Sequence, residues 1–597
     1  MVSQREYAGT GKSDLNLISY TDFKYADKTN YLTGITHFSP LGKQEIGYAY
    51  GSLKNGEMPD QVYSVQWNGS EKLGFAYDNL GRLAQKNFGG NSFGIKYAYE
   101  NYEIAKENGA AEKRTTTLVK SVETPAGTYS CEYDKLGNII SVANGTTTVS
   151  YEYDGLNQLT RVNDEKAGKT VTYSYTNGNI TEQKEYEYTT GELGEPTDTK
   201  TWNYTDSVWS DLLTDFNGTQ IAYDEIGNPL SIGGKQLTWL GRQLQSIADG
   251  ENTIEYAYNG DGNRISKTVN GTKTEFIYNG NILAGQKSGN DTLVFMYDNN
   301  SDIFGFILNG TEYYYIKNAQ NDVVAIADKD GNVLVNYAYD SWGKVTEITG
   351  NTALAEQNPI RYRSYYFDFE TEWDFLNTRC YSPDMCRFIN ADDSDILFED
   401  QDNMLENNLF AYCLNNAINM IDDTGCIAWW ITAAIGGALF DTAIYLIECA
   451  ITGQKVTWGG VGKAALIGAI TGVTFGAIGK AAKAAKSAIK ASKVAKYTTG
   501  TANQIGKIGE KISGIIKNTK KFNVNGRVRI PDGITRKFVQ EVKNVKSLSL
   551  TSQLRDYMQL ANSMGKRLEL FIRPNTYLSG PLKQAIKQYG VKITYLW

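Results

Sequence analysis

The stretch TTTVSYEYDGLNQLTRV, residues 146–162, alternates polar and apolar side chains, reaches Tyr153-Asp154, crosses a short polar turn and then resumes the alternation. A period of two marks a strand, and Asp with Gly or Asn between two such runs marks a turn, so the segment reads as a β-hairpin. The same punctuation recurs at Tyr77-Asp78, Tyr133-Asp134, Tyr223-Asp224, Tyr297-Asp298 and Tyr339-Asp340. Weaker copies read Tyr258-Asn259-Gly260 and Tyr278-Asn279-Gly280. Turns are written DNLGR, DKLGN, DEIGN and NGDGN, with strand-like runs such as NTIEYAY and TKTEFIY between them. A unit repeated from about residue 40 to 350 predicts stacked β-hairpins, each Tyr packing on its neighbours while Asp and Gly form the turn.

A chain of 597 residues is too long for one core, so further domains must follow the repeats. The 59 Gly and 41 Tyr are unusual beside only 10 Pro. Six scattered Cys form no C-x-x-C pair, which argues against a zinc site or a disulfide scaffold. One histidine, His37, lies far from the C-terminus, and its solitude excludes zincins, His-metal finger nucleases and ribonucleases that use histidine as acid and base. Charge is split along the chain: Lys480–Trp597 holds 24 Lys+Arg against 5 Asp+Glu (+19), and the first 479 residues hold 35 against 62 (−27). A basic end on an acidic body suggests a nucleic-acid-facing tail, the alternative being a merely solvated one. The opening MVSQREYAGTGKSD has no apolar core of the secretory kind. Export by another route, or origin as the C-terminal portion of a longer protein, is therefore expected.

The basic end carries Pro531-Asp532, then Glu541-Val542-Lys543, then Gln553 and Tyr557. Asp532 and Glu541, nine residues apart, suit two neighbouring strands joined by a turn at Gly533. Two such carboxylates can hold Mg²⁺, a hard cation that prefers oxygen ligands and can activate water against a phosphodiester. Lys543, two residues after Glu541, shares its strand face and could place the water or offset phosphate charge. The surrounding pattern predicts a helix over IGKIGEKISGIIK carrying Glu510, then strands FNVNGRVRI and KFVQEVKNV. A helix over SLTSQLRDYMQLANSMG follows, with Gln553 and Tyr557 on one face, then strand KRLELFIRP, helix SGPLKQAIKQYG and strand VKITYLW. This alternation predicts an α/β sandwich around a mixed sheet. A lone D…E-x-K arises by chance, with Asp532 in a turn and Glu541–Lys543 as a strand-face pair. Here the ordered set sits in a segment of net charge +13, residues 501–597.

The Tyr-Asp units resemble the YD repeats of the Rhs and related polymorphic toxin proteins. NPIRYRSYYFDFETEWDFLNTRCYSPDMCRFINADD (358–393) resembles the Rhs-associated core, and NLFAYCLNNAINMIDDTGC (408–426) the stretch that ends it. An open β-solenoid or adhesive repeat is the alternative for the repeats alone. The resemblance implies a β-shell around a C-terminal cargo and a plug that cuts itself as an aspartyl protease. The matching acids are Asp392, which follows Arg387-Phe388, and Asp422, with scission near Cys426–Ile427. Two carboxylates can share a proton, one activating water while the other protonates the carbonyl; alternatively both acids merely cap turns. This chain departs from the family in having Asp393 and Asp423 where prolines are usual, and Cys426 where Leu is usual.

The terminal domain resembles the PD-(D/E)XK restriction-endonuclease fold in its toxin versions. That implies Asp532, Glu541 and Glu510 as ligands of Mg²⁺ (or Mn²⁺), and Lys543 as the catalytic lysine. Gln553 and Tyr557 then orient the site or contact DNA, with helix packing as their alternative.

Between plug and toxin, residues 427–447 and 459–479 are apolar and rich in small residues, each about long enough to cross a bilayer. A membrane span, a hairpin that inserts later into a target membrane, or a buried helix pair all fit. The Ala/Lys run 481–496 predicts a linking helix. The fold class expected is multidomain: an antiparallel β YD-repeat shell (1–350), a core and autoprotease plug (351–426), a hydrophobic helical pre-toxin segment (427–496) and an α/β restriction-endonuclease-like domain (497–597). The function expected is a secreted or surface-delivered toxin of interbacterial competition, whose Mg²⁺-dependent DNase acts in the target-cell cytoplasm. Its implied partners are DNA, an acidic immunity protein, and a secretion apparatus or longer N-terminal region. A surface adhesion protein, and a membrane-permeabilising toxin acting through 427–479, are the alternatives.

Overall fold

The computed structural model describes residues 3–7, 17–27, 29, 31–105, 111–250, 252–393, 407–426, 429–430, 515, 517–573 and 576–595. They form two compact units, residues 3–430 belonging to the first and 515–595 to the second.

In the first unit, short strands from Leu17–Tyr25 to Val345–Gly350 pair antiparallel, each with the next in sequence, apart from one break at Ile221. The repeat has a physical cause that is the same at each turn. At Tyr133-Asp134, Asp134 Oδ1 accepts the backbone N–H groups of Leu136 (2.8 Å) and Asn138 (2.9 Å), an Asx-turn that closes the hairpin. Asp78, Asp154, Asp224 and Asp340 accept the same two groups of their own turns. The third residue after the acid lies in the left-handed region: Gly81, Gly137, Gly227 and Gly343, but Asn157 in the 146–162 hairpin, where Gly155 is not the residue that needs it.

The tyrosine ties units together. Strand register slips by one residue just before Tyr77, Tyr133, Tyr153, Tyr258, Tyr297 and Tyr339. Such a bulge bends the strand and sharpens its twist. The ring then reaches back one hairpin, and its hydroxyl donates to a backbone carbonyl. Tyr153 bonds Ile139 O (2.6 Å), Tyr175 bonds Leu159 O (2.6 Å), Tyr297 bonds Leu283 O (2.8 Å) and Tyr339 bonds Val323 O (2.7 Å).

The plug begins with the helix Thr352–Gln357, capped by the Asn351 side chain, and continues into four two- or three-residue strands between Tyr366 and Phe388. Its aromatic residues Tyr362, Tyr365, Trp373, Tyr381, Phe388 and Tyr412 share one core with shell residues such as Tyr151, Tyr173, Leu159 and Ile254. Buried charge pairs add direction. Asp368 receives Arg264 on both oxygens (2.6 and 3.1 Å) and Lys267 on one (3.0 Å), while Arg363 meets Asp322 at 2.7 Å. The NNAIN run of the plug reads the hairpin turns: Asn415 Nδ2 donates to Gln158 Oε1 (2.9 Å), and Asn419 Oδ1 accepts Ile139 N–H (2.7 Å). After the plug, Trp429–Trp430 pairs antiparallel with Met420–Ile421. At Trp429–Trp430 this corrects the helix expected over 427–447, because these two residues pair with a strand edge of the plug. The rest of 431–514, including the second apolar run, the Ala/Lys helix and Glu510, lies outside the described residues. Among the described residues no helix is long and apolar enough to cross a membrane.

The second unit carries a mixed sheet ordered Gly533–Ile534, Phe538–Lys543, Arg567–Ile572, Lys592–Tyr595, with the first pair antiparallel and the others parallel. Helices Ser552–Ser563 and Gly580–Tyr589 connect the parallel strands. Two expectations need correction. FNVNGRVRI is not one strand but a hairpin, Phe522–Val524 against Arg527–Arg529, because Asn525 and Gly526 both take positive φ (50° and 71°). A two-residue Asn-Gly turn of that kind favours a hairpin. Gly533 is not the turn either: it pairs with Gln540, and the chain reverses over Thr535–Lys537, where Thr535 N–H donates to Phe538 O (2.8 Å).

Gly343 (φ +95°) and Gly137 (φ +89°) occupy equivalent turn positions, but a Cβ on Gly343 meets the Tyr362 ring at 2.4 Å and one on Gly137 meets nothing within 4 Å. Gly137→Ala is expected to cost only the roughly 1–2 kcal/mol of left-handed backbone. Gly343→Ala adds an overpacking cost of roughly 1–3 kcal/mol. Equal melting temperatures for the two variants would contradict the docking of the plug on this turn.

Candidate active sites

In the second unit the strand Phe538–Lys543 turns Val539, Glu541 and Lys543 toward helix Ser552–Ser563, and Val539 seals the core beneath the two charged residues. Glu541 is 2% exposed. Its Oε1 accepts Lys543 Nζ at 2.6 Å, while Oε2 is buried and has no hydrogen-bond partner among the described residues. Burial raises this carboxyl to about 7; the Lys543 ammonium opposes that rise and the Asp532 charge adds to it. Asp532 stands beside it, held by a hydrogen bond from Val542 N–H to Oδ2 (2.8 Å), which makes the loop before the sheet part of the same centre.

Gln553 and Tyr557 lock this pair from the helix. Gln553 Oε1 accepts Lys543 Nζ (3.2 Å), and Gln553 Nε2 donates to Tyr557 Oη (3.3 Å). Tyr557 Oη donates to Ile530 O (2.8 Å), two residues before Asp532. One chain of hydrogen bonds therefore runs from the loop carrying Asp532, through the helix, to the lysine and Glu541. Asp556, which the sequence did not mark, is buried and accepts Arg529 (2.7 Å), Arg527 (3.3 Å) and Asn525 (3.0 Å). It clamps the Asn-Gly hairpin to the helix.

Two carboxylates, one with a buried orphan oxygen, form the all-oxygen donor set that suits a divalent cation. Among the described residues no group of three or more His, Cys, Asp and Glu is arranged so that it could hold a metal ion. Glu510, the third ligand expected from the sequence, lies outside the described residues.

The plug acids also come together, around a residue the sequence reading passed over. Arg379 Nη2 lies 2.9 Å from Asp392 Oδ2 and 3.7 Å from Asp422 Oδ2, with all three side chains buried. Asp392 is raised above the usual carboxylate range by burial, against the pull of Arg379. Asp422 Oδ1 accepts the N–H groups of Thr424 (3.2 Å), Gly425 (2.8 Å) and Cys426 (3.1 Å). Arg387, by contrast, faces the shell, donating to Tyr204 Oη and Asp211 O at 2.7 Å each. A buried acid pair needs a cation, but the segment holds several arginines, and only the fold selects Arg379. At the departures from the family pattern, Asp393 is exposed, while Asp423 is raised to about 7 by burial and by its neighbour Asp422.

Residues 102–419 match the family model of the teneurin YD-shell, and residues 506–582 that of restriction endonuclease fold toxin 7. The tRNA3(Ser)-specific nuclease WapA of Bacillus spizizenii is 30% identical over 64% of this chain and 16% of its own length. The tRNA nuclease WapA of Bacillus subtilis (strain 168) is 30% identical over 52% of this chain and 15% of its own. The chain thus spans about a sixth of the length of these curated relatives. In solved structures the fold resembles part of the Tc holotoxin pore of Photorhabdus luminescens (TM-score 0.53, 18% identity, 71% of this chain and 22% of that one). It also resembles part of the TcdB2-TccC3-Cdc42 crystal structure (TM-score 0.53, 18% identity, 72% and 23%). With the YD-shell model spanning more than half of its residues, the chain belongs to the teneurin YD-shell family, and its residues 506–582 are similar to a restriction-endonuclease-fold toxin domain.

Proposed function

We propose that the C-terminal domain is a metal-dependent nuclease that cleaves nucleic acid in a target cell, and that the repeats and plug carry and release it. The observation that carries this reading is the buried Glu541 carboxylate, bonded to Lys543 and beside Asp532, whose Oε2 has no partner among the described residues. Asp532 and Glu541 would hold Mg²⁺ or Mn²⁺, with Glu510 as a further ligand. The bound ion would activate a water and stabilise charge on the phosphodiester. Lys543 Nζ, bonded to Gln553, would orient that water or neutralise a phosphate oxygen. Tyr557 and Gln553 act as positioning residues, because their hydrogen bonds fix the two halves of the site.

DNA is the substrate we favour from the restriction-endonuclease resemblance. A tRNA substrate is the second reading, favoured by the two WapA relatives being tRNA nucleases. The domain division proposed is 1–350 shell, 351–426 plug, 427–496 pre-toxin segment and 497–597 nuclease. Release would follow self-cleavage at the plug, through Asp392 and Asp422 near Cys426–Ile427. Delivery by a secretion apparatus or a longer N-terminal region, transient membrane contact through 427–479 and an acidic immunity protein complete the proposal.

The purified chain and residues 497–597, incubated with plasmid DNA and with tRNA, are expected to cut at least one of them in Mg²⁺ and neither in EDTA. No cutting by folded protein under any of these conditions sinks the nuclease reading. Asp532→Ala and Lys543→Ala are each expected to lower the rate by at least about 100-fold. Wild-type rates in both would remove the site. Glu541 must be ionised to hold a cation, and its carboxyl is held at about 7, so the rate should fall as pH drops from 8 to 6. A rate indifferent to pH over that interval would count against Glu541 as a ligand.

A further inference from the structure

The hairpin Phe522–Val524 with Arg527–Arg529 has one face committed to the fold and one face turned outward. Its register sets Phe522 opposite Arg529, Asn523 opposite Val528 and Val524 opposite Arg527. Residues opposite one another share a face of an antiparallel pair. The inner face holds Phe522 and Val524, packed on the domain core, and Arg527 and Arg529, paired with Asp556. The outer face holds Asn523 and Val528, both exposed, Val528 at 64%. Lys521 and Ile530 continue that face by alternation and are exposed as well. A single exposed apolar residue is ordinary, but here two stand beside an amide and an ammonium on one two-stranded ribbon.

The ribbon is fastened to the candidate active site. At its tip, Asn525 Nδ2 donates to Asp556 Oδ1 (3.0 Å) and to Gln559 Oε1, both on helix Ser552–Ser563. At its base, Tyr557 Oη donates to Ile530 O, and Asp532 follows two residues later. Gln553, one turn back on the same helix, accepts Lys543 Nζ. The helix rises about 9 Å between Gln553 and Gln559, at roughly 1.5 Å per residue. The ribbon therefore runs outward from the site along the helix, and a substrate held at Lys543 lies beside it.

Charge and shape select what that substrate is. Among the described residues of this unit no acid is exposed: Glu541, Asp556 and Glu569 are buried and Asp532 is half-buried. Lys520, Lys521 and Arg527 of the ribbon and Arg555 of the helix are all exposed. The complement of such a surface is a polyanion. Two strands about 4.8 Å apart, with their side chains, match the major groove of B-form DNA, which is about 12 Å wide. The deep, narrow major groove of A-form RNA does not admit them. The outer face also carries the groups that read base edges: an amide suits adenine, an ammonium suits guanine, and an apolar side chain suits the thymine methyl.

We propose that residues 521–530 form a ribbon that lies in the major groove of duplex DNA and sets where the domain cuts. This rests on the reading of the domain as a nuclease and names its substrate as the duplex. Lys521, Asn523 and Val528 meet base edges, while Lys520 and Arg527 meet phosphates. An acidic protein would satisfy the charge equally well. The base of the ribbon, however, is bonded to the residues that hold Asp532 and Lys543 in place, so its occupant is what the site acts on.

The test uses the full-length chain as wild type, Asn523→Ala, Val528→Asp and the triple variant Lys521→Ala/Asn523→Ala/Val528→Ala. Each is offered duplex DNA of mixed sequence, one of its strands alone, and tRNA. Binding is read in EDTA by fluorescence anisotropy, and cutting in Mg²⁺ by rate and by sequencing of the ends. The wild type should bind the duplex at least about tenfold more tightly than tRNA and cut it at preferred sequences. Val528→Asp and the triple variant should each weaken duplex binding at least about tenfold, with the loss in KM rather than kcat. The triple variant should also flatten the cut-site preference, and Asn523→Ala should relax it at one base position.

Wild-type affinity and cut-site preference in the triple variant overturn the proposal and leave the outer face to a protein partner. Tighter binding of tRNA or of single strands than of the duplex overturns it too, and cutting of those substrates in Mg²⁺ then leaves the nuclease reading standing. A chain that cuts nothing, yet loses duplex binding in the triple variant, overturns the nuclease reading and keeps the ribbon. A wild type that neither binds nor cuts overturns both. A wild-type dimer that the triple variant dissolves, seen by light scattering, makes the face a contact between copies and overturns the proposal. All substituted positions are exposed, so melting temperatures should match the wild type, and Asn523→Ala carries the test if the triple variant does not fold.

Discussion

The hydrogen bond that repeat tyrosines such as Tyr77, Tyr133, Tyr153, Tyr297 and Tyr339 make to a carbonyl one hairpin back is the interaction on which the first unit depends. A hairpin alone is marginal in water, and it gains stability only by covering a neighbour. The bulge before each tyrosine aims the ring, the hydroxyl finds a group every residue possesses, and the Asx-turn fixes where the next strand begins. Each such bond adds only about 1 kcal/mol. Its larger effect is geometric, because it sets how far one hairpin rolls over the last.

The plug depends on the same turns. Asn415 and Asn419 reach Gln158 and Ile139, which lie at the end of the Asp154 and Asp134 turns, and Trp342 of the Asp340 turn accepts Tyr381 Oη through its carbonyl. The hairpin ends thus serve both as closures of their own strands and as seats for the plug. Arg264 and Lys267 converging on Asp368 supply the complementary constraint. Removing one partner of such a buried group strands the others, which commits the plug to one orientation.

Much of this was legible because the signals are local. Period-two alternation and Tyr-Asp punctuation exposed the hairpins, and E-x-K spacing put Glu541 and Lys543 on one strand face. The helix carrying Gln553 and Tyr557 followed from 3.6-residue periodicity. The Asn525-Gly526 pair was equally local and was passed over, because its flanking residues read as one continuous strand. Arg379 was a different kind of omission. Its role comes from contacts with Asp392, Asp422 and Gly425, the last two more than forty residues away, and no spacing rule selects it from Arg361, Arg363 and Arg387. The reversal at Thr535–Lys537 was hidden because Gly533 is the more conspicuous residue, although its lack of a side chain serves close packing against Ile515 and Gln540.

The cut proposed near Cys426–Ile427 falls between Met420–Ile421 and Trp429–Trp430, two stems that pair antiparallel. Cutting a bond between such stems severs the covalent thread but leaves the stems fastened, as in a nicked duplex. Covalent scission and physical separation are then distinct events with distinct barriers. A chain cut there would remain one particle, and mechanical pull or local unfolding of the stems, rather than the chemistry, would decide when the two pieces part.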